Sequence, residues 1–341
     1  MPRKAPAILF PEARRAVLDE VPIPEPGDGD VLVQIEYSSI SVGTERWCLT
    51  GKLQNPGEAP LAFPHVPGYQ ASGLVLETGR AVRSLKPGDR VFSRNCRTPA
   101  GAGGVSGWQG SWWGGHVGLH VAEEGAVIRL PDSVSLQEAS GLLLAQVGYN
   151  GATKPPMTSD AGVVAAVIGD GLVGQYAAQV LRHRGAQVLL SGLAPLRLEL
   201  AAKHSADEVF DASRGDFGAF VRERFPKGVG VALETASSQR TVRQAIDLLA
   251  YGGHLVMNGF YPPGESLLDW HWLRTKELTA HFPNSRTRER LEGTLRLIAE
   301  GAVRVEELVT HTVSLAEAPR LYEKLLGPDA DFLGLVIQWR S

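Results

Sequence analysis

Cysteine is almost missing from this chain of 341 residues, with only Cys48 and Cys96 present. Two thiols build neither a disulfide framework nor a four-cysteine zinc lobe, and neither has a nearby CxxC partner, so both read as ordinary buried thiols. Net charge is scarce too: 34 basic against 37 acidic residues leave −3. That balance offers no electrostatic reason to expect nucleic acid or an anionic membrane as partner. No apolar run approaches the roughly 20 residues that span a bilayer. The basic start, Met1-Pro2-Arg3-Lys4, is not followed by a signal-type apolar segment. Internal repeats and low-complexity tracts are absent as well. These absences point to the cytoplasm and away from nucleic-acid and membrane partners.

What is present is enough for real cores: 43% hydrophobic residues over a length that usually exceeds one domain. The first 130 residues read as short strands broken by turns. Val31-Leu-Val-Gln-Ile-Glu-Tyr37 alternates as a half-buried strand does. Gly73–Glu77 and Asp89–Phe92 are further strands, with Lys86-Pro87-Gly88-Asp89 as the turn between them. Strands so short, at such spacing, suggest a partly closed β-barrel. The glycine-rich stretch 98–118 carries Trp108, Trp112 and Trp113, and reads as a functional loop. From about residue 133 the rhythm changes to strands alternating with helices, which implies a parallel, doubly wound sheet. Its strands are Val163–Ile168, Gln187–Leu190, Glu208–Phe210, Val231–Leu233, His254–Met257 and Glu277–His281. The tail adds a helix over 287–300, a strand over 308–313 and the segment Leu315–Leu325.

Gly169-Asp-Gly171-Leu172-Val173-Gly174 follows an apolar strand and opens a helix, the context that makes a glycine pattern specific. Gly169 permits the tight turn, Gly171 lets backbone approach a pyrophosphate, and Gly174 allows close helix–strand packing. The helix N-terminus, through Leu172 and Val173, presents free N–H groups to the phosphates. A protein that binds NAD usually places an acid at the end of the next strand. Here that segment is Leu190-Ser191-Gly192-Leu193, without an acid. The hydroxyl of Ser191 and the cation of Arg197 therefore favour NADP, with NAD possible, and an acid introduced at Gly192 should turn the preference toward NADH. The turn Asn258-Gly259-Phe260-Tyr261 lies at the carboxyl end of the sheet, so Gly259 and Phe260 are expected at the nicotinamide.

The order of a β-rich domain, a GxGxxG domain and a helical return resembles the medium-chain dehydrogenase/reductase superfamily over nearly the whole chain. Ser41-Val-Gly-Thr-Glu45, Val66-Pro-Gly-Tyr-Gln-Ala-Ser-Gly73, Leu85-Lys-Pro-Gly-Asp-Arg-Val91 and Ala250-Tyr-Gly-Gly-His-Leu-Val256 carry the likeness. The resemblance implies an α/β architecture: a GroES-like, partly closed β-barrel catalytic domain over 1–149 and 286–341, and a Rossmann dinucleotide-binding domain over 150–285. It also implies a homodimer, for which the last strand, Glu277–His281, offers an edge. In the zinc enzymes of the superfamily, metal ligands stand at the positions held here by Val42, by Tyr69 and Gln70, and by Leu143. Valine and leucine cannot bind zinc, and tyrosine is a poor ligand beside thiolate or imidazole. The expectation is catalysis with no zinc.

Hydride transfer to a carbonyl leaves negative charge on oxygen, which a hydrogen-bond donor must stabilise and protonate. By the resemblance, Thr44 sits where the zinc enzymes keep their relay hydroxyl, and Tyr69 offers a phenol in place of a metal ligand. Glu45 takes a supporting role by holding a neighbouring basic group, and Gln70 is a candidate substrate contact. His65 and His116 read as structural histidines. The function expected is hydride transfer between nicotinamide and a carbonyl or secondary alcohol. The alternatives are enone or quinone reduction, a hydroxyethyl-chlorin substrate, and cofactor binding without turnover. The chlorin reading follows a narrower likeness of Ile40–Arg46 and Val66–Tyr69 to the bacteriochlorophyllide dehydrogenase branch.

Overall fold

A computed structural model describes residues 3–53, 61, 63–94, 96–97, 114–157, 163–261, 270–327 and 331–340. Trp108, Trp112 and Trp113 of the expected functional loop lie outside these residues. The chain starts with an antiparallel hairpin, β1 (Arg3–Glu12) and β2 (Arg15–Ile23). β3 (Asp30–Ile40) then leads into α1 (Val42–Leu49), followed by β4 (Ala71–Thr78), β5 (Arg90–Ser93), β6 (Leu119–Glu123) and β7 (Val127–Arg129). α2 (Leu136–Ser140) begins at a full capping box, in which Ser135 and Glu138 each accept the other's backbone N–H. Gly141 separates it from α3 (Leu142–Ala152).

Six strands alternate with helices in the next stretch. They are β8 (Val163–Ile168), α4 (Leu172–His183), β9 (Ala186–Gly192), α5 (Pro195–His204), β10 (Glu208–Asp211), α6 (Phe217–Arg224), β11 (Val229–Glu234), α7 (Gln239–Leu248), β12 (Leu249–Met257), α8 (Trp270–Thr275) and β13 (Thr279–His281). α9 (Arg288–Ala299) follows, and the chain ends with β14 (Val309–Ser314), α10 (Ala318–Lys324) and β15 (Gly334–Gln338). The six strands form one all-parallel sheet in the order β10-β9-β8-β11-β12-β13, the doubly wound arrangement of a Rossmann fold. The other large sheet has seven strands, ordered β14-β15-β3-β4-β5-β7, with β6 paired to β3.

β3 differs from its sequence pattern. It is buried along most of its length on both faces, not on one; β4, β6 and β15 pair along its edges, and α2 packs against it, with Ser39 Oγ 2.7 Å from Ser140 Oγ. β15 had no strong signal of its own; pairing with β3 and β14 makes it a strand. Among the described residues no helix is long and apolar enough to cross a membrane.

The chain divides into two compact units: Met1–Leu142 with Val309–Asp329 and Gly334–Ser341, and Leu143–Leu308 with Ala330–Leu333. The divisions fall near 142 and 308, where the sequence had suggested 149 and 285. Contacts of α3 and α9 explain the difference. Gln146 and Asn150 of α3 both donate to the carbonyl of Ser285, each at 3.3 Å. Gly148 lets α3 approach α4 so closely that a Cβ there would stand 2.7 Å from the Ala177 nitrogen. Gly293 of α9 likewise makes room for the Tyr149 hydroxyl, which an added Cβ would meet at 2.8 Å. The parallel sheet is packed by Ala166, Ile168, Leu189, Ala232 and Leu255 against Val221, Val242 and Ile246 of the helices.

Gly174 sets the distance between β8 and α4. A Cβ on Gly174 would fall on the carbonyl oxygen of Gly169, backbone that has nowhere to move. Gly174→Ala should cost about 1–3 kcal/mol by overpacking, a drop in Tm of several degrees. Scanning calorimetry checks this; an unchanged Tm would mean that α4 can shift without penalty.

Candidate active site

The second unit supplies a dinucleotide cradle. Gly169 takes φ +121 at the end of β8, a conformation L side chains rarely adopt, and its N–H bonds the Ser191 carbonyl at 2.9 Å. The Thr235 side chain fills the space where its Cβ would be. Gly171, the N-cap of α4, is different. Its φ of −71 suits any residue and a Cβ would meet nothing within 4 Å. The protein itself does not need glycine there, so the open ground serves whatever approaches the helix N-terminus. The first-turn N–H groups at Leu172 and Val173 lack intrahelical acceptors and face that ground. A pyrophosphate fits such a cradle.

The carboxyl end of β9 is not as the sequence suggested. Ser191 is 3% exposed, buried in the strand rather than presented as a ligand hydroxyl. Gly192 is also buried. Arg197 is committed inward: its Nε donates to the Phe332 carbonyl at 2.8 Å, its guanidinium lies 5.7 Å from the Phe332 ring, and its NH1 is 3.7 Å from Asp170 Oδ1. It is not a cation held out for a phosphate. An acid does stand at this strand end, and it is Asp170, from the glycine turn. Its Oδ2 accepts from the backbone N–H groups of Leu193 at 2.7 Å and Ala194 at 2.9 Å. A Cβ on Gly192 would fall on the Asp170 side chain, so an acid introduced at 192 would displace Asp170 rather than fill a gap. Reading the strand ends alone missed Asp170; the signal was the acid inside the GxGxxG turn.

At the carboxyl ends of β11 and β12 two turns are tied together. Asn258 and Gly259 donate N–H bonds to the Glu234 carbonyl at 2.9 and 3.0 Å, and Phe260 N–H donates to Ser237 Oγ at 3.0 Å. The buried Glu234 carboxylate accepts from the Thr241 hydroxyl at 2.7 Å and from the Tyr261 hydroxyl. Burial pushes its carboxyl upward, opposed by the Thr241 hydroxyl and the N–H groups of Ala236, Ser237 and Ser238. Ser237 holds φ +58 to make this possible. Gly259 and Phe260 are thereby fixed at the edge where parallel sheets bind ligands, with Phe260 46% exposed.

In the first unit, Glu45 organises the expected catalytic residues. Its carboxylate is fully buried, accepts from Ser41 N–H at 2.7 Å and from the Tyr322 hydroxyl at 2.5 Å, and lies 3.0 Å from His116 Nε2. His116 Nδ1 is 2.8 Å from Ser38 Oγ, which also accepts from Trp339 Nε1 at 2.8 Å. The basic group that Glu45 holds is thus His116. Burial, then the Glu45 charge, pushes the Tyr322 phenol far upward, so it stays protonated as a donor.

Gly68 runs over the His116 ring with φ +83, and a Cβ there would be 2.6 Å from Cδ2. Gly114, Gly115 and His116 donate backbone N–H bonds to Val66, Gly68 and Pro67 at 3.0–3.1 Å. This strap fixes Tyr69, which is 7% exposed. Thr44 is half-buried on α1, directly before Glu45. Gln70 is brought in but turned away: fully buried, its Nε2 points to the Ser39 carbonyl at 3.4 Å. It braces β3 and does not present its amide to a substrate.

The donor set does not fit zinc. Val42, Tyr69, Gln70 and Leu143 offer no thiolate, imidazole or carboxylate. Among the described residues no group of three or more His, Cys, Asp or Glu is arranged to hold a metal.

Residues 27–132 match the alcohol dehydrogenase GroES-like domain family, and residues 173–300 match the zinc-binding dehydrogenase family. The chain is 30% identical to an alcohol dehydrogenase of Rhizobium meliloti over 316 residues, 87% of this chain and 88% of that one. It is 27% identical to the 2-desacetyl-2-hydroxyethyl bacteriochlorophyllide A dehydrogenase of Cereibacter sphaeroides over 341 residues, 98% of each. A solved structure of a zinc-binding dehydrogenase from Sinorhizobium meliloti, bound to NADP, superposes with a TM-score of 0.83 at 23% identity, covering 99% of this chain and 100% of that one.

His120 gives the strap a pH dependence. Its ring is fully buried, with Nε2 3.1 Å from the Gly115 carbonyl and Nδ1 3.1 Å from Ser93 Oγ. Burial lowers its pKa to about 4. The unfolded chain takes up the proton near the usual 6.5 and the folded chain does not, so stability is full above that pH and falls as the pH drops toward 4. The loss reaches about 3 kcal/mol at most. Urea unfolding at pH 7 and pH 4.5 checks this, with His120→Gln removing that share of the difference. A profile unaltered by the substitution would assign the pH dependence to other groups.

Proposed function

The chain belongs to the medium-chain dehydrogenase/reductase family and is an oxidoreductase, and from that premise we propose that it moves a hydride without zinc, between a nicotinamide dinucleotide and a carbonyl or secondary alcohol. The observation that carries the zinc-free reading is the donor set. Valine, tyrosine, glutamine and leucine stand at the positions of metal ligands, and the tyrosine is braced rather than loose. When bound, the nicotinamide supplies or accepts the hydride.

The chain's own residues have the remaining tasks. The first turn of α4 binds the pyrophosphate, and the tied turns at Glu234 and Gly259 hold the nicotinamide end. The hydroxyls of Thr44 and Tyr69 stabilise the oxygen as charge develops on it, and one of them donates its proton. Glu45 and His116 act through Tyr69 by fixing the Gly68 strap, so they are positioning residues. The absence of an acid at 190–193 favours NADP(H), and the charge of Asp170 beside that strand end favours NAD(H).

Stoichiometric zinc is expected to be absent from the purified protein, and chelators should leave turnover unchanged. About one zinc per chain, removable with loss of activity, would sink the reading. At least one of Thr44→Ala and Tyr69→Phe should lower kcat by about a hundredfold, the scale of one general acid; full activity in both variants would reject these donors. Ketones and secondary alcohols should turn over faster than enones or quinones when the panels are run side by side. The end-to-end similarity to the bacteriochlorophyllide enzyme favours a second reading, in which the alcohol is a hydroxyethyl group on a chlorin, and that compound belongs in the panel.

We also infer a homodimer joined through β13, the last strand of its sheet, whose outer edge is unpaired among the described residues. Light scattering at micromolar concentration should return twice the chain mass; a monodisperse monomer would overturn the inference.

A further inference from the structure

The carboxyl end of β9 is where dinucleotide folds discriminate between their two cofactors. An acid there accepts the ribose 2′-hydroxyl of NAD, whereas the 2′-phosphate of NADP needs a cation. In this chain the residue at that strand end is Gly192, and the acid comes from the preceding turn. Asp170 is 9% exposed, and its Oδ2 is saturated by the N–H groups of Leu193 and Ala194 at 2.7 and 2.9 Å. Among the described residues its Oδ1 has only the distant Arg197, at 3.7 Å, and keeps the capacity to accept a hydroxyl. The arrangement is rigid. Gln175 Nε2 donates to the Asp170 carbonyl at 3.1 Å and to the Arg197 carbonyl at 3.0 Å, so one buried amide joins the turn to α5.

We propose that Asp170 is the cofactor-selecting residue, standing in for the missing strand-end acid and favouring NAD(H) over NADP(H). The proposal rests on the reading of the second unit as a nicotinamide dinucleotide site, and it reverses the preference drawn from Ser191 and Arg197. Three features act together. A 2′-phosphate brings close to two negative charges toward a carboxylate already in place. The two N–H groups that would bind such a phosphate are occupied by that carboxylate. The nearest cation, Arg197, is committed to the Phe332 carbonyl and ring. A ribose hydroxyl needs only an acceptor. Gly192 belongs to the same device, because any side chain there would collide with Asp170.

Isothermal titration of the purified protein with NADH and with NADPH tests this without reliance on turnover. The wild type should bind NADH about tenfold to a hundredfold more tightly than NADPH, the scale of one charge-assisted contact. Asp170→Asn keeps the shape and an acceptor for the Leu193 and Ala194 N–H groups but removes the charge, so it should narrow that ratio by about tenfold. Circular dichroism verifies that the variant folds, and the wild-type ratio decides on its own if it does not. Equal or tighter NADPH binding by the wild type, or a ratio unmoved by Asp170→Asn, would overturn the proposal and leave the dehydrogenase reading intact. Binding of neither dinucleotide would remove both.

Discussion

A carboxylate with no solvent contact must be satisfied by its neighbours, and in the first unit the burial of Glu45 organises the rest. Its oxygens meet a backbone N–H at the start of α1, the Tyr322 phenol from the C-terminal return, and Nε2 of His116. Removing one partner of such a set leaves a buried charge uncompensated, which typically costs about 3–5 kcal/mol. The chain leaves this unit near residue 142 and comes back near 309, so the Tyr322 and Trp339 bonds join segments nearly 300 positions apart. They supplement the backbone pairing of β15 with β3. His116, held from both ring nitrogens, then supports the Gly68 strap and Tyr69. The phenol proposed to meet the substrate is thus positioned by groups that never touch one.

The second unit depends on close approach instead of charge. Gly169, Gly174 and Thr235 bring β8, α4 and the turn after β11 together without intervening side chains. That closeness leaves the N-terminus of α4 open above Gly171 and draws Asp170 under the end of β9. The same logic recurs at Gly148 and Gly293, which admit α4 and Tyr149 respectively and carry α3 and α9 into this unit. Of Gly148, Gly169, Gly174 and Gly293, only Gly169 also takes an unusual backbone conformation; the other three act as absent volume.

Most of the fold was legible because periodicity reports burial. β8 matches its apolar run residue for residue, and α4, α5, α9 and β10–β14 lie within a few residues of their patterns. The GxGxxG turn and its family could be read from sequence because the turn's constraints are local. β15 could not be read, because a short terminal segment becomes a strand only by pairing. β3 was read as half-buried, because alternation cannot reveal that α2, a hundred residues on, packs against it. Gln70 was misread as a substrate contact for a related reason: its neighbourhood is made by β3, some 30 residues away.

The sequence by itself determined the class of the protein: two kinds of sheet and a dinucleotide turn, each following from residue type at a fixed local spacing, with valine, tyrosine, glutamine and leucine where, by the family resemblance, the zinc enzymes keep their ligands. Tertiary structure alone decided which charged groups are engaged and with whom. Arg197 looked available on a helix until the Phe332 carbonyl, from the far end of the chain, accepted a hydrogen bond from it. Asp170 looked like a turn residue until β9 brought two N–H groups beneath its carboxylate. Electrostatic roles depend on distance and solvent exposure, and both are set by segments remote in the chain.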